Sequence, residues 1–160
     1  MTQAERYAWY SLIAWLAILY FLLTRFTDGI NIFGDSLGLT IVDQSAATLF
    51  WTYVTLAVIA IIAETVIAAV IAAPKKDDIE RDERDLAIEA RAKLASYWFM
   101  AIAVNVIVIH TLLNAAYGRE SLPLTLNLSS HTAIAFALLL VLTLAEIVHR
   151  IAVIWNYRRA

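Results

Sequence analysis

The sequence predicts an all-α integral membrane protein, a four-helix bundle built from four spans, and three observations lead there. Hydrophobic residues make up 62% of the chain and charged residues 16%, against roughly 45–50% and about 25% in soluble domains. Apolar runs of the about 20 residues needed to cross a hydrocarbon core of about 30 Å occur four times. The charges gather in a few places, above all in Pro74 to Lys93, PKKDDIERDERDLAIEARAK, between the two apolar halves. One transmembrane domain over 1–160 accommodates all of this, with spans at 7–26, 48–73, 94–117 and 130–157.

The first run follows Arg6 and opens with Tyr7, Trp9, Tyr10 and Trp15, as expected where a helix enters the headgroup zone. It is expected to be a permanent span, because it is long and no small-residue cleavage site followed by a polar mature chain ends it. From Thr27 to Ala47 the glycines Gly29, Gly34 and Gly38 and three aspartates alternate with apolar residues. This connector is expected to lie on the membrane surface as a short helix or a strand pair.

The second span opens with Phe50, Trp51 and Tyr53 and ends where Pro74 blocks a helix. A cytoplasmic charged helix over 77–93 follows. Asp77/Arg81, Glu80/Arg84, Arg81/Asp85 and Glu89/Lys93 stand four apart, which places opposite charges side by side. Starting near Asp78, this helix is expected to run unbroken into the third span and on to Tyr117. Gly118 and Pro123 then mark a loop, Ser129 or Ser130 caps the fourth span, and Arg158 and Arg159 close it.

Four spans put both ends and the charged segment on one side, with Arg6, Lys75, Lys76, Arg81, Arg84, Arg91, Lys93, Arg150, Arg158 and Arg159. Only Arg25 and Arg119 lie on the other side. The positive-inside rule counts Lys and Arg and largely ignores acids, so both termini are expected in the cytoplasm and the protein in the inner (cytoplasmic) membrane.

Several function classes drop out. There is no cysteine, hence no disulfide, thiolate metal site or thiol nucleophile. A net charge of −2 points to no nucleic-acid partner. Walker A, GxGxxG, GxSxG and HExxH patterns are absent, and no cofactor is called for.

The residues that stand out lie inside the spans, where an ionisable group is costly and a functional candidate by default. Glu64 and Glu146 fall roughly 13 to 17 Å from the helix ends beside the charged segment, and Asn105 reaches a similar level. Glu64, Asn105 and Glu146 are therefore expected to converge. In one reading Glu146 pairs with Arg150 four residues on, Arg150 reaches for the surface, and Glu64 bonds to Asn105 as a polar clasp. In the other, a carboxylate there binds a proton, a cation or a cationic solute, as a small carrier needs. Glu146 and His149 also form Glu-x-x-His, the spacing of di-iron bundles, but a second copy of the motif is missing; a single metal ion on Glu64, Glu146 and His149, or a haem on His110 and His131, makes a third, redox reading. Trp9, Trp15, Trp51, Trp98 and Trp155 read as interfacial belts. Asn105 and Asn114 are about half a revolution out of step at 100° per residue, so one of them should face a second protomer, the headgroups or a loop, which favours a homodimer. The charged helix, through Arg81, Arg84 and Glu89, is the candidate docking surface for a membrane or cytoplasmic protein.

Sliding the chain by 82 residues sets Ala63-Glu64 on Ala145-Glu146, Leu56 on Leu138, Leu12 on Leu94 and Trp15 on Tyr97. The halves thus read as one two-helix hairpin used twice, in parallel repeat.

The run RDERDLAIEARAKLASYW, followed by a span, LNLSSH, a span containing LAEIVHRI and a terminal YRR, resembles a loosely defined set of small prokaryotic membrane proteins. They carry a DERD-type cytoplasmic motif ahead of one span and an aliphatic-Glu-Ile span after it. The resemblance covers roughly the second half. It implies an inner-membrane protein of an accessory or regulatory kind and carries over no catalytic residue.

Overall fold

Each apolar run forms one helix, because a backbone in hydrocarbon must satisfy its own hydrogen bonds. A computed structural model describes residues 3–31, 38–72, 83–117 and 130–159. Helix α1 spans Gln3–Phe26, α2 Ala46–Ala72, α3 Glu83–Tyr117 and α4 His131–Arg159. All four are long and apolar enough to cross a membrane. The expected spans agree to within a few residues, and charged helix and third span are one element from Glu83 onward, about 52 Å long at 1.5 Å per residue. Its expected start near Asp78 lies outside the described residues, as do Arg81 and the charge pairs it was to make. Glu89 and Lys93 do pair, at 2.9 Å.

The connector after α1 is a strand pair, β1 Thr27–Asn31 against β2 Gly38–Ile41, antiparallel, with a register irregularity between Thr27 and Ile30. Gln44 anchors it. Its backbone N–H donates to Thr132 Oγ1 on α4 at 3.0 Å and its side-chain amide to the Arg25 carbonyl at 2.8 Å. Ser45 caps α2 by accepting from the Thr48 N–H at 3.3 Å, and Ser130 caps α4 by accepting from Ala133 at 3.1 Å.

Helix α4 is the centre of the bundle, with α1 on one side and α3 on the other, and α1 in turn holds α2. Among the described residues α2 and α3 scarcely meet, so the bundle is open between them. Near the hairpin, Ile18, Leu22 and Phe26 of α1 bury against Leu56 and Phe136, with the Phe26 and Phe136 rings 5.4 Å apart. Toward the opposite end, Ala8 and Leu12 meet Ile147, Val153 and Ile154 of α4 and Ile88 and Ala92 of α3. Small residues at 8 and 92 let three backbones approach there. The same end is tied by Tyr157, which donates to Asp85 Oδ1 at 2.6 Å, and by Arg158, which lies 4.0 Å from Glu5 and over the Trp9 ring at 5.4 Å.

Candidate functional site: a carboxylate clasp between three helices

Tyr7, Ser11 and Trp15 are four residues apart on α1, and side chains at that spacing stack on one face. This face meets Glu64 of α2. Ser11 Oγ donates to Glu64 Oε1 at 2.5 Å and Trp15 Nε1 to the same oxygen at 2.8 Å, while the Tyr7 hydroxyl donates to Oε2. From α4, the Arg150 guanidinium donates to Oε1 at 3.2 Å and stands over the Tyr7 ring, 5.3 Å from its centroid. The Glu64 side chain is 24% exposed and that of Arg150 15%.

A carboxylate has about four lone-pair positions, and four side chains donate to Glu64. Three of these, from Ser11, Trp15 and Arg150, converge on Oε1, and Tyr7 alone meets Oε2, so Oε1 is fully engaged by its own chain. Such engagement offsets the cost of placing a charge away from water. A solute or ion reaching Oε1 has to displace one of these donors.

Glu146 is placed differently. It lies 3.6 Å from Arg150, with 42% of its side chain exposed, so one guanidinium faces two carboxylates and binds Glu64 more closely. Arg150 turns inward to α2 rather than reaching only for the surface, and its Nε is buried without a partner among the described residues. His149, half-buried one residue earlier, lies toward α3, near Ala92 and Glu89.

The expected convergence is thus corrected at one member. Glu64 and Glu146 share Arg150, but Asn105 is exposed on α3 and its Nδ2 donates to the Ala101 carbonyl of its own helix at 2.8 Å. The reasons are depth and helical phase, since α3 meets Ala145 at Ser96, about 13 Å of helix before Asn105. Ser96 faces α4, where its Oγ donates to the Ala145 carbonyl at 2.8 Å, and nine residues on, half a revolution away, Asn105 faces outward. The belt reading of Tyr7 and Trp15 is corrected too, since their polar tips hold Glu64. A run of Tyr, Ser and Trp at four-residue spacing on one face was the available signal.

No group of three or more His, Asp or Glu side chains among the described residues is arranged to hold a metal ion. Nor does the repeat carry the clasp over: 82 residues beyond Tyr7, Ser11 and Trp15 stand Glu89, Lys93 and Tyr97, and Glu89 pairs with Lys93 on its own helix. Of the docking candidates, Arg84 is exposed at the head of α3 beside Asp85, whose carboxylate Tyr157 fixes, Glu89 is half-buried and paired, and Arg81 is outside the described residues. Comparison of the chain with protein-family models, curated proteins and solved structures finds no match in any of the three.

Proposed function

We propose that the protein is a non-enzymatic accessory or regulatory protein of the cytoplasmic membrane, which holds a partner protein on the head of α3. The observation that supports this most is how Glu64 is held: four donors from its own chain reach its carboxylate, which serves to join α1, α2 and α4. The charges left exposed at that end include Arg84 and Arg91 on the first turns of α3. Lys and Arg asymmetry supports a cytoplasmic location for this head and for both termini. An acidic surface is the complement of Arg84 and Arg91. The test is a photo-crosslinking side chain placed at Ala87, exposed on the same stretch, in cells. A discrete protein adduct that disappears when Arg84 and Arg91 are both changed to Glu supports docking; an adduct pattern unchanged by the reversal contradicts it.

A second reading has its own observation. Glu146 is the more exposed of two carboxylates sharing one guanidinium, the arrangement a small proton- or cation-linked carrier would use, with Glu146 as the exchangeable group. In proteoliposomes, a pH-gradient-driven cation flux abolished by Glu146→Gln supports the carrier; an equal flux in that variant removes it.

A further inference from the structure

Asn105 stands eleven residues after Leu94 and twelve before Tyr117, the middle of the apolar run, about 17 Å from either end. Its side chain is exposed, and among the described residues its single hydrogen bond is the one to Ala101. That leaves the amide oxygen and one N–H directed at whatever surrounds α3. In hydrocarbon nothing answers them. The rest of this face is Trp98, Ile102, Ile109 and Leu112, all exposed and all suited to lipid; the amide is not. The opposite face is satisfied by α4, through Ala92, Ser96 and Ile107.

We infer that the Asn105 face of α3 is where two copies of this chain pack, with the two Asn105 amides paired at the centre of the contact. An amide is both donor and acceptor, so it is complementary to itself, and a two-fold interface sets each residue of this face against the same face of the partner. Each Oδ1 then accepts from the other copy's Nδ2, and the polar groups are removed from lipid. Ala101, one turn away, is small and allows the helices to come close at the level of the pair. A hetero-partner would need its own polar group at the same depth; a second copy has one by construction. The inference is independent of docking at the head of α3.

The chain has no cysteine, so single cysteines report the face directly. In proteoliposomes under oxidation, Ile109→Cys, one turn from Asn105, is expected to form a disulfide-linked dimer. Ile107→Cys, packed toward Ala133 and Ala137 of α4, is expected to stay monomeric. In a lipid-dilution series read by energy transfer between labelled copies, Asn105→Leu is expected to weaken association about tenfold, and Asn105→Gln to hold it within about threefold. Leucine suits a lipid-facing position, and unchanged helix content confirms that variant's fold. Equal cross-linking at 107 and 109, a monomer at every dilution, or undiminished association of Asn105→Leu would each overturn the inference.

Discussion

Arg150 and Glu64, 86 residues apart in sequence, meet at 3.2 Å and bind the last helix of the chain to the second. Neither helix otherwise touches the other extensively. The contact is mediated by α1, whose Tyr7, Ser11 and Trp15 complete the coordination of the carboxylate. Three helices therefore meet at one side chain.

The α1 donors are individually testable. Tyr7→Phe takes the one described donor from Oε2 and is expected to destabilise the protein by about 1 to 3 kcal/mol; Ser11→Ala and Trp15→Phe each leave two donors on Oε1 and are expected to cost about 0.5 to 1.5 kcal/mol. Tyr10→Phe, on the exposed side of the same helix, is expected to change stability by less than about 0.5 kcal/mol. Thermal unfolding in a fixed detergent compares the four.

The two acids that the repeat superimposes are expected to behave unequally. Glu146 is half-exposed and 3.6 Å from its partner, the geometry of pairs that contribute about 0 to 1 kcal/mol. Glu146→Gln should therefore unfold nearly as the parent does. Glu64→Gln should not, because an amide nitrogen replaces an acceptor among four donors; unfolding midpoints of the two variants show the difference.

Tyr157 and Asp85 hold the head of α3 against the end of α4 through a short charge-assisted bond of 2.6 Å. Tyr157→Phe is expected to loosen residues 83–91 locally, at about 1 kcal/mol, and to leave the clasp intact. Hydrogen exchange resolved by peptide should show faster exchange in that segment and unchanged exchange in residues 56–70.

How much of this was legible in the sequence follows from what sequence periodicity carries. Depth along a span is a count of residues from its end, which sets Glu64 and Glu146 at one level, joined by Arg150; the count fails for Asn105, because α3 meets Ala145 at Ser96, about 13 Å of helix before it. Azimuth depends on which face packs, and a helix as uniformly apolar as α3 offers no stripe to fix it. The outward turn of Asn105 is invisible in the sequence for that reason, whereas Ser96, whose hydroxyl finds a carbonyl on α4, sets both level and phase in the structure. Tyr7 and Trp15 were hidden differently. Aromatic residues near a span's start suit the headgroup zone, and only the partner helix shows that their polar tips turn inward. Arg150 was read beside Glu146 from four-residue spacing, which is right, but its closer partner lies in the other half of the chain, beyond the reach of local pattern.

The most direct measurement is a double-mutant cycle on unfolding free energy with Glu64→Gln, Arg150→Met and both together. Arg150→Met leaves Glu64 its α1 donors but no countercharge, and Glu64→Gln leaves Arg150 only the more distant Glu146, so each single change is expected to cost about 2 to 3 kcal/mol, below the range of a fully buried pair. If the pair joins the helices, the double variant is expected to be no less stable than the worse single one, a coupling of about 2 kcal/mol or more. Strictly additive losses, with coupling near zero, would contradict a clasp built on Glu64 and Arg150.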